Sequence, residues 1–172
     1  MQLFIDSPHP TSRVQQFLDA IDKISVVRGK SVPPIVNIEK LRSLPPGSFG
    51  KAWADFLDTN NLQPFTTGAR RKQLHDGVHV ITGYGTDPIG EAEVQAFLLG
   101  AKFHFMHVAL GLGLLRIISK HHQYRQNFSW NRLYCAYQRG LHSHFNPDTW
   151  QPEHLWHLPL AEVQCIFLVN SQ

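Results

Sequence analysis

The sequence predicts a single all-α domain, and three observations carry that prediction. Apolar residues recur at spacings of three and four along most of the 172 residues, whereas strict alternation is scarce. Asparagine, serine, aspartate and proline stand where helices would start, and glycine stands where they would stop. The length suits one hydrophobic core, and no repeat or linker divides it. The expected architecture is a helical bundle of six or seven helices with one long apolar helix.

Residues 1–11 read as a loop or arm. Val14, Phe17, Leu18, Ile21 and Ile24 share a face over 12–28, and Gly29 follows as a stop. Residues 29–36 read as a second arm, because Pro33 and Pro34 do not fit a helix interior. Asn37 caps a short helix that ends at Pro45 and Pro46. Ser48 caps the next, which puts Trp53, Phe56 and Leu57 on one side. Asn60, Asn61 and Pro64 break the chain. Thr67 is expected to cap a helix through Val80, ended by Gly83 and Gly85. Asp87 and Pro88 form a cap and first turn for a helix that runs to about Lys120. Ser129 starts another, through Leu141. Residues 147–158 look irregular, and Pro159 opens a last helix over 160–169.

Composition excludes several classes. Charged residues make 17% of the chain, below the usual share of about 25%. The net charge of +3 comes from interspersed residues, with one short basic run at Arg70, Arg71 and Lys72. No basic stripe suits nucleic acid, so no nucleic-acid partner is expected. Cys135 and Cys165 form no CxxC pair, which fits a reducing compartment. The opening MQLFIDSPHP carries Asp6 and two prolines, so neither a signal nor a transit peptide is expected. The most apolar window, 94–118, is interrupted by Lys102, His104 and His107 and is too short to span a bilayer. The expected location is cytoplasmic with peripheral membrane association.

Histidine is the outlier, with 11 residues. One group stands out: His75, Asp76 and His79, followed after eleven residues by Glu91. Positions i and i+4 stack on one helix face, so His75 and His79 can present ring nitrogens to one ion. Asp76 lies about 100° round the helix as an edge ligand or orienter. Glu91 falls in the first turn of the next helix and can fold back onto His79. Two imidazoles with one or two carboxylates suit Zn²⁺ with an open position, and also Fe²⁺ or Mn²⁺. The sequence lacks the Glu that would follow the first His of a metalloprotease. His104 and His107 read as core or tunnel-lining residues. Gly111 and Gly113, inside a helical pattern, each cost about 1 kcal/mol against Ala, which suggests close approach of a helix or a ligand. No residue reads as a catalytic nucleophile.

The motif His75-Asp76-x-x-His79 with Gly83 and Glu91, and the upstream stretch LRSLPPGSFGKAWADFLDTNNLQP (41–64), resemble the coenzyme Q (ubiquinone) biosynthesis protein 4 family. The likeness covers about 35–170 and is weaker after Leu133; Gln164 stands where the family has a basic residue. The resemblance implies an all-α protein with a divalent metal, zinc first and Fe, Mn or Mg next, at His75, Asp76, His79 and Glu91. It implies action on a polyprenylated hydroxybenzoate, with loss of the ring carboxyl at C1 coupled to hydroxylation there, a carbon–carbon lyase activity. The alternative is a non-catalytic, lipid-binding scaffold for quinone-biosynthesis proteins at the membrane. An isoprenoid tail would lie along Phe103, His107, Leu110, Gly111 and Leu114, and Arg70 or Arg71 would face an acidic head group. A homodimer is expected as well.

Overall fold

Residues 32–169 are described by a computed structural model. The expected helix over 12–28 and arm over 1–11 lie outside them. Nine α-helices and no strand occur among the described residues: α1 (Ile38–Arg42), α2 (Phe49–Thr59), α3 (Arg70–Gln73), α4 (His75–Thr82), α5 (Pro88–Ala101), α6 (Phe105–Lys120), α7 (His122–Asn127), α8 (Trp130–Leu141) and α9 (Leu160–Ile166). A 3-10 turn covers Pro152–His154. The all-α reading therefore holds, with more and shorter helices than the periodicity suggested.

Four of the five predicted caps work as their chemistry requires, whereas Thr67 caps nothing: α3 starts after Ala69, with no side-chain cap. Asn37, Ser48, Asp87 and Ser129 each accept a backbone N–H from the first turn of α1, α2, α5 and α8. Gly83 closes α4 in the left-handed region at φ 76°, where a side chain would be strained.

The single long helix expected from Pro88 to Lys120 is corrected to two. The backbone turns extended at Lys102 (φ −157°, ψ 113°) and again at His104 (φ −147°, ψ 130°). His104 Nδ1 then accepts the N–H of Met106 and caps α6. An unbroken helix of that length would reach about 50 Å and leave its apolar stripe without a partner. The break lets α6 fold back on α5, burying His107, Leu110, Leu114 and Ile118. The helix expected over 67–80 also divides. It starts at Arg70, and Leu74 (φ −97°, ψ 1°) separates α3 from α4. Buried Gln73 anchors the arm there, accepting the N–H of Ile35 and donating to the carbonyl of Val32.

Trp53, Trp150 and Phe49 form the aromatic centre of the main core, with the two indoles stacked at 6.2 Å. Helix α4 packs its Gly77 face on them: a Cβ at Gly77 would lie 2.5 Å from the Trp53 ring. Helices α5 and α8 cross backbone to backbone. A Cβ on Gly140 would meet the Phe97 carbonyl at 2.0 Å, and one on Gly100 would meet the Tyr137 carbonyl at 2.1 Å. These glycines permit close approach, whereas Gly111 has open space around it. Among the described residues no helix is long and apolar enough to cross a membrane.

Candidate metal centre

A short turn at 83–87 joins α4 to α5, and this helix–turn–helix assembles the site. Gly90 packs so closely under Gly85 that a Cβ would meet the Gly85 carbonyl at 2.2 Å. That contact brings Glu91, in the first turn of α5, against the His75–His79 face of α4. The Nε2 atoms of His75 and His79 are 3.1 Å apart, and each lies 3.2 Å from an oxygen of Glu91. All three ligand atoms fall within 4.8 Å of one another. His79 and Glu91 are buried, and His75 opens slightly to solvent.

The donor set fits a divalent ion. The carbonyl of Tyr84 can only accept, so His79 Nδ1, 3.1 Å away, donates to it and leaves Nε2 as the nitrogen that faces the centre. Phe56 stacks on the same ring at 5.5 Å and fixes its plane. Separations of 3.1–3.2 Å match an edge of a tetrahedral or octahedral shell with bonds of about 2.0–2.2 Å. Burial opposes both charges, yet Glu91 and Asp76 outweigh it at His75 and raise that pKa. The two imidazoles likewise overcome burial at Glu91 and hold its carboxyl well below the usual range. A cation would take over the role the imidazolium plays in that balance.

A second polar rung lies beside the triad. Arg71 is four residues before His75, and Gln95 four after Glu91. His107, from α6, sits between them: its Nε2 lies 3.0 Å from Arg71 Nη2 and its Nδ1 2.8 Å from Gln95 Oε1. A guanidinium only donates, so Nε2 accepts and Nδ1–H donates to Gln95. Burial, reinforced by Arg71, pushes the His107 pKa down to about 4, so the ring is neutral.

A family model described as "Coenzyme Q (ubiquinone) biosynthesis protein Coq4" matches residues 28–164. The chain belongs to that family. A bovine relative, "Ubiquinone biosynthesis protein COQ4 homolog, mitochondrial", is 36% identical over 76 residues, covering 36% of this chain and 29% of that protein. Its Leishmania braziliensis namesake is 32% identical over 111 residues, covering 53% of this chain and 56% of that one. The matches thus span roughly a third to a half of the length of these relatives. A crystal structure from Nostoc punctiforme PCC 73102, of a protein provisionally assigned to ubiquinone biosynthesis, superposes with TM-score 0.68. It is 20% identical and covers 97% of this chain and 84% of that one, a likeness of fold.

Against the family motif, the structure brings His75, His79 and Glu91 together, and Asp76 stands beside them rather than among the converging atoms. Asp76 is buried, and that burial lifts its pKa to about 6 although His75 and His79 pull it down. Arg70 turns away from the centre: its guanidinium holds Glu153 at 2.7 and 2.8 Å and the Trp150 carbonyl at 2.9 Å, tying α3 to the 150–153 segment. Arg71 is the arginine that reaches His107. On α6, Leu110 and Leu114 point inward, Gly111 is half-exposed, and Phe103 lies exposed in the break before the helix. Gln95 and Asp148 were not legible as site residues in the sequence. The i+4 step from Glu91 was the available signal for Gln95; Asp148 reaches Arg71 only through the tertiary fold.

Proposed function

We propose that this protein takes part in ubiquinone biosynthesis as a metal-dependent protein acting on a polyprenylated hydroxybenzoate, replacing the C1 carboxyl by hydroxyl. The convergence of His75, His79 and Glu91 in a buried helix–turn–helix carries this reading, and family membership supports the pathway. The net change breaks the ring C–carboxyl bond, forms a ring C–OH bond and releases CO₂. It consumes dioxygen, two electrons from an external donor and two protons, with one oxygen atom leaving as water. A bound divalent ion, zinc before Fe, Mn or Mg, would supply Lewis acidity at a ring oxygen. Through Tyr84, His79 keeps Nε2 facing the centre, Glu91 balances charge, and Asp76 is an adjacent carboxyl able to hold or release a proton. Burial of the triad excludes bulk water.

One observation favours the scaffold reading beside it. Phe103 and Phe105 are each 73% exposed, and Leu112, Trp130 and Tyr134 are exposed as well. Such a surface suits an isoprenoid, a membrane face, a second copy of the chain or other quinone-biosynthesis proteins. Two measurements divide the readings. His79→Ala with Glu91→Ala is expected to abolish stoichiometric metal while leaving the helical circular dichroism intact; unchanged metal content removes the centre. Aerobic incubation of the metal-loaded protein with a geranylated 4-hydroxybenzoate and a reductant is expected to give the decarboxylated, hydroxylated ring by mass spectrometry. Retained metal without turnover leaves the scaffold.

A further inference from the structure

The second rung contains a cation whose anionic partner is weakly held. Arg71 is partly buried, yet its only ion pair among the described residues is with Asp148, at 3.4 Å from Nε. Asp148 is shared: Lys102 Nζ approaches its other oxygen at 3.2 Å. Arg70, the neighbouring guanidinium, grips Glu153 at 2.7 Å and shows what a committed pair looks like here. Burial lowers the pKa of Arg71, and Asp148 offsets this only in part. The neutral His107 cannot supply charge, but its Nε2 lone pair fixes Nη2 in place, and Gln95 fixes His107 in turn.

The position of this guanidinium is informative. It lies four residues before His75, across the Leu74 joint, and is more exposed than His75 (30% against 13%); His107, which it touches at 3.0 Å, is close enough to His75 to feel its charge. An aromatic ring spans about one helical turn. A ring with one oxygen substituent toward the triad would therefore carry a second acidic substituent into reach of Arg71.

We propose that Arg71 is the carboxylate-recognition residue of this centre, held by His107 and Gln95, and that it exchanges Asp148 for the carboxylate of an acidic aromatic ligand. This rests on the proposed ligand class and adds a residue that discriminates within it. His107 acts through Arg71 and is a positioning residue. The exchange replaces a long, shared contact with a charge-assisted hydrogen bond to a carboxylate held by Arg71 alone.

Zinc-loaded protein is titrated calorimetrically with 3-geranyl-4-hydroxybenzoate and with 2-geranylphenol, which lacks only the carboxylate. The wild type is expected to favour the carboxylate about tenfold or more, the usual scale of a charged hydrogen bond. Arg71→Gln should remove that preference while keeping phenol affinity and zinc stoichiometry, and Arg71→Lys should restore part of it. Asp148→Asn should tighten carboxylate binding alone, and Lys102→Met, which leaves Asp148 to Arg71, should weaken it. If Arg71→Gln keeps the preference, the proposal is overturned; its loss in His75→Ala/His79→Ala instead would place the carboxylate on the metal. Equal binding of both ligands by the wild type also overturns it but leaves the ligand class standing. Binding of neither overturns both. If Arg71→Gln does not fold, unchanged carboxylate affinity in Asp148→Asn decides against the proposal.

Discussion

At His107 the protein buries an imidazole between a cation and an amide and so keeps it neutral. The consequence for stability has a definite sign. Burial and then Arg71 depress the folded pKa to about 4, while an unfolded histidine titrates near 6.5. Between those values the unfolded chain binds more protons, so stability rises with pH across the window and is flat above it. The shift corresponds to about 3 kcal/mol as an upper figure. His107→Gln preserves an acceptor for Arg71 and a donor for Gln95 but cannot titrate. Urea denaturation at pH 4 and pH 7 should show a larger gain with pH in the wild type than in the variant, by about 2–3 kcal/mol. Equal gains would mean that the ring is protonated or solvent-accessible in the folded state. Asp76 shows the opposite device, a carboxyl whose burial raises its pKa.

Elements are set by where backbones touch. In helices α5 and α8, Gly100 and Gly140 sit against opposing carbonyls at 2.1 and 2.0 Å from an added Cβ. Gly→Ala inside a helix ordinarily gains about 1 kcal/mol. Here the obstacle is backbone, which cannot rotate away, and overpacking of about 1–3 kcal/mol or more outweighs the gain. Gly140→Ala is therefore expected to lower the melting temperature. Gly111→Ala, with nothing within 4 Å of its Cβ, should raise stability by about 0.5–1 kcal/mol. A shared sign in thermal melts of the two variants would contradict this packing. Glu93 adds a polar tie across the same pair of helices, held by Arg132 at 2.8 Å through both of its oxygens.

For the whole molecule the decisive feature is unevenness of cover. Helix α6 buries one stripe on α5, and the exposed band from Phe103 and Phe105 through Met106 to Leu112 flanks it. Apolar association is entropic and insensitive to salt, unlike attraction through charge. Light scattering at micromolar concentration is expected to give a dimer or larger species, and vesicles should pull the protein down weakly at both low and high salt. Phe103→Glu with Phe105→Glu should reduce both. A monomer that ignores vesicles would show that the band has no such role.

The helical class, the capped starts at Asn37, Ser48, Asp87 and Ser129, and four candidate site residues, His75, Asp76, His79 and Glu91, were legible in the sequence; the fold brings the ligand atoms of His75, His79 and Glu91 within 4.8 Å. The former are legible because caps, helical periodicity and i, i+4 stacking depend on residues close in the chain. Tertiary packing set where the long helices end. The break at Lys102–His104 and the joint at Leu74 carry no proline or glycine; they exist because α6 must return to α5 and because Gln73 must hold the arm. It also decided which arginine serves the site. Arg70 and Arg71 are adjacent and equivalent as a sequence, but a helix turns about 100° per residue. That rotation sends Arg70 to Glu153 and Arg71 to His107, partners 83 and 36 residues away that no local pattern announces.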